Sequence, residues 1–163
     1  MKKQESPIHY CIIESPVGKL LLTASGKHLT RLSFQNGKHP IKPDPAWIYD
    51  QRPFHKTIEQ LKAYFSGKRK TFTMKAAPAG TPFQQQVWEA LKTIPYGKTV
   101  SYGDIAQAIG KPQASRAVGA ANGKNPISII FPCHRVIGST GNLVGYGGGL
   151  SIKEKLLALE QSL

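Results

Sequence analysis

The spacing of apolar residues divides the chain into a β-rich first part and a helical second part. In the first part, three short apolar segments are separated by turns that contain glycine, proline or serine. Short apolar segments separated by turns of this kind predict an antiparallel meander. We place its strands at residues 8–13, 19–24 and 29–34.

A proline-rich stretch, residues 35–53, follows the meander and predicts a loop. Beyond this loop, Ile58, Leu61 and Phe65 recur at helical spacing, with Ser66-Gly67 behind them. An apolar face of this period predicts an amphipathic helix, which we place at residues 54–65.

The second part predicts a series of short helices. Thr81-Pro82-Phe83-Gln84 combines a capping threonine, a proline in the first turn and a glutamine in the reciprocal position, and predicts a helix to about residue 93. A similar pattern at Ser101 begins a short helix through residues 105–109, and the small residues of 114–122 predict the next helix. Two such helices around a tight turn are a candidate helix-turn-helix. We therefore expect two domains, residues 1–76 and 80–163.

One cysteine lies in a setting that suggests chemistry. Cys133 follows a strand-like apolar run, residues 127–130, and precedes His134 and Arg135. A thiol reacts as its thiolate, and a free cysteine is mostly protonated at neutral pH unless a base or a positive charge lies close. Both neighbours could supply that environment, so we predict a reactive thiol. The alternative is a small buried core residue, which is what an isolated cysteine usually is.

Composition limits the class of protein that can hold this thiol. The chain has 163 residues, of which 40% are hydrophobic, enough for a globular core. No apolar run is long enough to span a bilayer, and the two cysteines can form neither a disulfide framework nor a four-cysteine zinc site. We expect a cytoplasmic protein with no metal and no contact with a membrane.

The charge balance indicates a polyanionic partner. Lysine and arginine number 22 against 9 acidic residues, for a formal net charge of +13. No acidic residue lies between Asp104 and Glu154, a stretch that includes the candidate helix-turn-helix and Cys133. A surface that meets phosphates has this character. A solvated basic surface that aids solubility is the alternative for the N-terminal excess.

Several short motifs together resemble one family. Pro132-Cys133-His134-Arg135-Val136 is preceded by Arg116-Ala117-Val118-Gly119 and Asn125-Pro126, and followed by residues 145–150 (GYGGGL) and Lys153-Glu154. This combination resembles the O6-alkylguanine-DNA alkyltransferases, most densely from about residue 81 to residue 160. The resemblance implies an α+β fold: a small ribonuclease H-like β-sheet domain, then an all-α, winged-helix-like domain with a helix-turn-helix.

The resemblance also implies a single-turnover reaction without a cofactor. Cys133 would accept the alkyl group, and His134 would withdraw the thiol proton through a water molecule. Glu160 would orient His134, and Asn125 would hold the turn before the active-site segment. The partner would be double-stranded DNA with alkylated guanine or alkylated thymine, approached from the minor groove without an obligate protein partner.

Base and DNA contacts are implied in the same way. Tyr102 would help to rotate the nucleotide out of the duplex, and Arg116 would fill the gap left in the stack. The base pocket would be formed by Tyr102, Tyr146, Gly147, Gly148 and Val136. DNA would be contacted by Ala114, Ser115, Arg116, Lys124 and Arg135.

Other functions fit part of the pattern. A helix-turn-helix regulator would explain the charge but would not need Cys133 or Glu160. A cysteine hydrolase would explain Cys133 and His134, but no oxyanion site is evident, and residues adjacent in sequence seldom form such a dyad. A damage sensor that binds alkylated DNA without reacting is a third alternative, although the related sensors replace the cysteine that this chain keeps.

Overall fold

The structure is a computed structural model that describes residues 6–37, 40–142, 146 and 148–161. The strands are β1 (Ile8–Ile13), β2 (Leu20–Ser25), β3 (His28–Phe34), β4 (Ile48–Tyr49), β5 (Val100–Ser101) and β6 (Val136–Ile137). The helices are α1 (His55–Phe65), α2 (Pro82–Leu91), α3 (Tyr102–Ala108), α4 (Ser115–Gly123) and α5 (Leu150–Leu159). Two 3₁₀ turns span Arg52–Phe54 and Cys133–Arg135.

The first four strands form one sheet in the order β3-β2-β1-β4. The hairpins β1-β2 and β2-β3 are antiparallel, so the predicted meander is confirmed. Strand β4 pairs in parallel with β1 through only two residues. It was not predicted because a two-residue strand inside a proline-rich loop has no detectable period.

One hydrophobic cluster runs through both parts of the chain. It includes Leu22 and Leu32 from the sheet, Leu61 from α1, Trp88 from α2 and Leu156 from α5. Strand β3 also holds the segment that leads to the cysteine, because the Leu32 amide donates to Pro126 O at 2.9 Å and the Ser128 amide donates to Leu32 O at 3.1 Å. The sheet thus directly supports the segment that leads to Cys133.

The predicted helix starts are confirmed in atomic detail. Thr81 and Ser101 each accept a hydrogen bond from the amide three residues on, and the side chains of Gln84 and Asp104 return the bond, forming two complete capping boxes. Helix α4 packs on α2 and α3. The indole of Trp88 fixes α4 by donating to Ala121 O at 2.9 Å.

Two expectations need correction. The apolar run 127–130 is not a strand: it makes a single bridge to β3, and Ile129 adopts a left-handed conformation with φ of 70°. The second part is not purely helical, because β5 and β6 form a two-stranded parallel pair. Among the described helices, none is both long and apolar enough to cross a membrane.

Candidate active site

Cys133 opens the 3₁₀ turn that follows the Ile127–Phe131 bend, and only 4% of its surface is exposed. It lies on a cavity of about 190 Å³. The second part of the chain contributes Asn122, Asn125, Tyr146 and Gly148 to the cavity wall. The first part contributes Arg31, Phe34 and Ile41, so the wall is shared between sheet and helices.

Asn125 shapes the bend before the cysteine. Its Nδ2 donates to Phe131 O at 2.8 Å, and its Oδ1 accepts from the Ile127 amide at 3.0 Å. One side chain therefore ties both ends of the bend together. The Phe131 and Ile127 backbones also bond directly, at 3.0 Å. Asn125 is thus placed where it can hold the turn, the role that the family resemblance implies for it.

His134 and Glu160 form a buried pair beneath the cavity. Nε2 of His134 lies 2.7 Å from Glu160 Oε2, and both side chains are fully buried. Burial alone would raise the pKa of Glu160, but hydrogen bonds from His134 and Arg135 lower it to about 2. Since an ionised carboxylate only accepts hydrogen bonds, Nε2 carries the imidazole proton and Nδ1 is the free acceptor.

The resting protonation states follow from burial. Burial lowers the pKa of His134, and the hydrogen bond and charge of Glu160 offset part of that effect, so the imidazole is neutral at neutral pH. Burial raises the pKa of Cys133, although the nearby side chains of Asn125 and Tyr146 and the charge of Lys153 act in the opposite direction. The sequence suggested that positive neighbours lower the pKa of this thiol; the buried thiol instead rests protonated.

Among the residues that the structure describes, three buried polar atoms around the cysteine have no hydrogen-bond partner at an acceptable distance and angle. They are Asn122 Oδ1, His134 Nδ1 and the hydroxyl oxygen of Tyr146. A buried polar group without a partner costs about 1–3 kcal/mol. Their clustering beside one thiol indicates a place for a polar ligand and for water, rather than an apolar core.

Models of one protein family match nearly the whole chain. Residues 82–162 match the DNA binding domain of 6-O-methylguanine DNA methyltransferase, and residues 8–78 match its ribonuclease-like domain. The chain belongs to the 6-O-methylguanine DNA methyltransferase family.

Relatives are similar to this chain over nearly its whole length. A methylated-DNA--protein-cysteine methyltransferase from Methanosarcina acetivorans is 52% identical over 95% of this chain and 99% of its own. One from Mycobacterium tuberculosis is 51% identical over 95% of this chain and 93% of its own. A crystal structure of Mycobacterium tuberculosis OGT in complex with DNA superposes with a TM-score of 0.88, with 51% identity, covering 94% of this chain and 93% of that one. The α+β fold class expected from the sequence is therefore confirmed.

Most residues expected to meet DNA lie on or beside α4. The side chains of Arg116 and Lys124 are exposed at the two ends of this helix, and Ala114 and Ser115 are half-buried at its start. Tyr102 begins α3 and is half-buried, and its pKa is raised by burial and, to a smaller extent, by the nearby Cys133. A methyl group built on Gly119 would stand 3.8 Å from the Tyr102 ring, so a small residue at 119 lets α4 approach that ring.

Arg135 is the main correction among the DNA contacts. Its guanidinium is buried and donates to Glu160 Oε1 at 2.8 Å, to Glu160 Oε2 at 3.1 Å and to Ile94 O at 2.7 Å. A buried charge requires such partners. Arg135 therefore neutralises Glu160 and does not face DNA.

The base-pocket residues are partly brought together. Tyr146 and Gly148 line the cavity, and Gly147 lies outside the described residues. Val136 is fully buried in β6, where its carbonyl accepts from Lys153 Nζ at 2.7 Å, and it does not line this cavity. The described residues contain no cluster of three or more histidine, cysteine, aspartate or glutamate side chains that could hold a metal ion.

Sequence reasoning missed the contribution of the first part of the chain. Arg31 and Phe34 line the cavity from β3, and the hydroxyl of Tyr64 on α1 donates to Glu160 Oε2 at 2.5 Å. These residues carry no motif of their own. Arg31 and Phe34 reach the site because β3 pairs with residues 126–128. This contact joins segments that are far apart in the sequence, and no local sequence pattern marks it.

Proposed function

We propose that this protein repairs alkylated DNA by moving the alkyl group from O6 of guanine to the sulfur of Cys133. The observation that carries the proposal is the setting of that sulfur. A buried thiol borders a small cavity, a neutral imidazole oriented by a carboxylate lies behind it, and unpartnered polar atoms surround it. Family membership fixes the reaction class as transfer to a protein cysteine.

The transfer needs two coupled movements of bonds. The thiol proton passes through a bridging water to His134 Nδ1, the imidazole nitrogen left free by Glu160. The sulfur then forms a bond to the alkyl carbon as the bond from that carbon to O6 breaks. The electron pair stays on guanine, which takes up a proton to complete the repaired base. Because the thioether is stable, each molecule acts once. The alkyl group passes directly from the base to the sulfur, so no cofactor takes part.

The lesion must leave the duplex to reach this sulfur. Cys133 is 96% covered by protein, and a stacked base cannot approach it in line with the breaking bond. Extrusion costs about a few kcal/mol, and less for a damaged pair. We assign Tyr102 to crowding the phosphate and then contacting the extruded base, and Arg116 to filling the vacated position. Exposure of Arg116 at the start of α4 supports that role.

We also assign a division of labour along the chain. Residues 80–163 bind DNA from the minor groove and carry out the transfer, and residues 1–76 support the active-site segment through β3. O4-alkylated thymine is a second substrate in this proposal. Both cysteines are free thiols, which fits the reducing conditions of the cytoplasm, where we place the protein.

Mass analysis of the protein tests the proposal directly. The protein is mixed with a duplex that contains one O6-methylguanine, and intact and peptide masses are recorded for the wild type, Cys133→Ala and Cys11→Ala. Cys11 is the matched control because it is buried and its pKa is raised to about 12 by burial. We expect a gain of one methylene on the Cys133 peptide in the wild type and in Cys11→Ala, with guanine restored in the DNA.

Any of three results would refute transfer of the alkyl group to Cys133. Tight binding of the damaged duplex without a gain of mass would make the protein a damage sensor. A gain of mass that persists in Cys133→Ala would place the acceptor elsewhere. A protein that binds undamaged DNA with sequence preference and does not react would be a helix-turn-helix regulator.

A further inference from the structure

Tyr64 links the first part of the chain to the chemistry of the second. It lies on α1, its side chain is fully buried, and its hydroxyl donates to Glu160 Oε2 at 2.5 Å across 96 residues of sequence. The ring is held by Phe65, Phe72 and Tyr96, with ring centroids 5.3, 5.5 and 6.2 Å away. The hydroxyl direction is therefore fixed by packing on three sides.

The oxygen that accepts from Tyr64 is the one that holds His134. Oε2 of Glu160 receives the Tyr64 hydroxyl, Nε2 of His134 at 2.7 Å and Nη2 of Arg135 at 3.1 Å. Oε1 receives Nε of Arg135 at 2.8 Å and the Gly97 amide at 3.5 Å. The phenol thus competes directly with the imidazole for the negative charge on Oε2. A phenol bonded to Oε1 would compete much less.

We infer that Tyr64 is a positioning residue for alkyl transfer, whose hydroxyl orients Glu160 and limits how strongly that carboxylate stabilises protonated His134. This inference rests on the proposed function. A carboxylate that shares its charge with a phenol is less basic, and an imidazole bonded to a less basic carboxylate is easier to keep neutral. Neutral His134 is the form that can accept the thiol proton at Nδ1.

The direction of the effect follows from this competition. Without the hydroxyl, the charge on Oε2 is concentrated toward His134, and the imidazolium form is favoured. The pKa of His134 then rises, and the proton-accepting form is lost at a higher pH on acidification. The substitution Tyr64→Phe leaves in place the other titratable or charged groups that lie near His134 and Glu160 in the described part of the chain. They are Arg135 and Cys133 in the 3₁₀ turn, Tyr96 after α2, Tyr146 at the cavity wall and Lys153 on α5.

The test is the rate of single-turnover methyl transfer as a function of pH for the wild type and Tyr64→Phe. We expect Tyr64→Phe to slow transfer about tenfold at the optimum, because Glu160, and with it His134, loses an orienting hydrogen bond to a charged group. We also expect the acid limb of the profile to move upward by about half a pH unit. The ¹⁵N chemical shifts of His134 should titrate with the same displacement. The dissociation constant for the damaged duplex should not change, because Tyr64 has no exposed surface.

Tyr96→Phe is the matched control. Tyr96 packs against Tyr64, and its hydroxyl makes a long bond of 3.4 Å to Leu159 O. We expect its pH profile to match that of the wild type. Equal upward shifts in both variants, or an unshifted acid limb in Tyr64→Phe, would overturn the inference, because either result would assign Tyr64 to packing alone.

A second substitution keeps the test informative should Tyr64→Phe fold poorly. Site-specific Tyr64→3-fluorotyrosine retains the bond and makes the phenol a stronger donor. We expect the acid limb to move downward, opposite to the effect of phenylalanine, and no movement would also overturn the inference. Failure of the proposed function would look different: the wild type itself would then transfer no methyl group to Cys133 at any pH.

Discussion

Glu160→Gln would leave the guanidinium of Arg135 in the protein interior without its counter-charge. In the native protein only 6% of the surface of Arg135 is exposed, and its guanidinium donates two hydrogen bonds to Glu160. Removing one partner of a buried ion pair costs about 3–5 kcal/mol. The glutamine amide also directs an NH₂ group at a site where five donors converge, so part of the network is left without acceptors.

We expect the free energy of unfolding to fall by about 3–5 kcal/mol in Glu160→Gln, a large part of the 5–15 kcal/mol typical of a domain. Urea unfolding at pH 7, followed by tryptophan fluorescence, measures it. The double variant Arg135→Met with Glu160→Gln removes both charges and should recover most of the loss. A cost below about 1 kcal/mol for Glu160→Gln, or a double variant as unstable as the sum of the single ones, would refute the assignment of a buried, mutually dependent pair.

The same pair sets a pH dependence with a definite sign. The pKa of Glu160 is lowered to about 2 in the folded protein, below its value of ~4.3 in an unfolded chain. The carboxylate therefore adds stability above about pH 4.3, and that stability is lost as the pH falls toward 2. The difference in unfolding free energy between the wild type and Glu160→Gln should shrink over this window. A constant difference between pH 5 and pH 2.5 would contradict the lowered pKa.

Three further predictions concern other parts of the molecule. Arg116→Ala should slow repair of a duplex substrate much more than reaction with free O6-methylguanine, and equal losses on both would remove its role in the stack. Gly148→Ala would place a methyl group 2.7 Å from the Phe34 ring, so it should slow transfer of a benzyl group more than of a methyl group; equal slowing would mean that the ring gives way. Thr81→Ala should lower the free energy of unfolding by about 1 kcal/mol through loss of the α2 cap, and an unchanged urea midpoint would mean that the cap contributes nothing.

The parts of the fold that sequence could predict are those with a local cause. Strand β1 was placed at its observed bounds because apolar residues and turns alternate there, and α2 begins where a threonine, a proline and a glutamine stand in the capping order. The run 127–130 misled because apolar residues favour a strand only when a neighbouring strand continues to pair. Here β3 pairs with one residue of the run, and the chain then bends at Ile129.

The candidate site could be predicted only where its residues belong to a motif. Short recognisable segments contain Cys133, His134 and Asn125. Glu160 follows a further motif, Lys153-Glu154, by six residues. The bond from Tyr64 to Glu160 joins two helices 96 residues apart, and neither residue signals the other. Arg135 shows the converse problem: an arginine beside a reactive cysteine in a basic chain suggests a contact with DNA, yet its direction is decided by a buried carboxylate.

A nucleophile that acts once must not react before its substrate arrives, and burial of Cys133 meets that requirement. Oxidants attack the thiolate, and desolvation raises the pKa of this thiol, so little thiolate exists at rest. Yet the groups that favour ionisation are already in place: Asn125, Tyr146 and Lys153 lower the pKa, and His134 holds a free acceptor at Nδ1. What the resting site lacks is an acceptor for the sulfur's electron pair. An extruded alkylguanine brings that acceptor, and it also offers partners to the buried polar atoms around the cavity. Activation of the thiol and recognition of the base are therefore the same event, which explains why the cysteine can be buried and still be the reactive group.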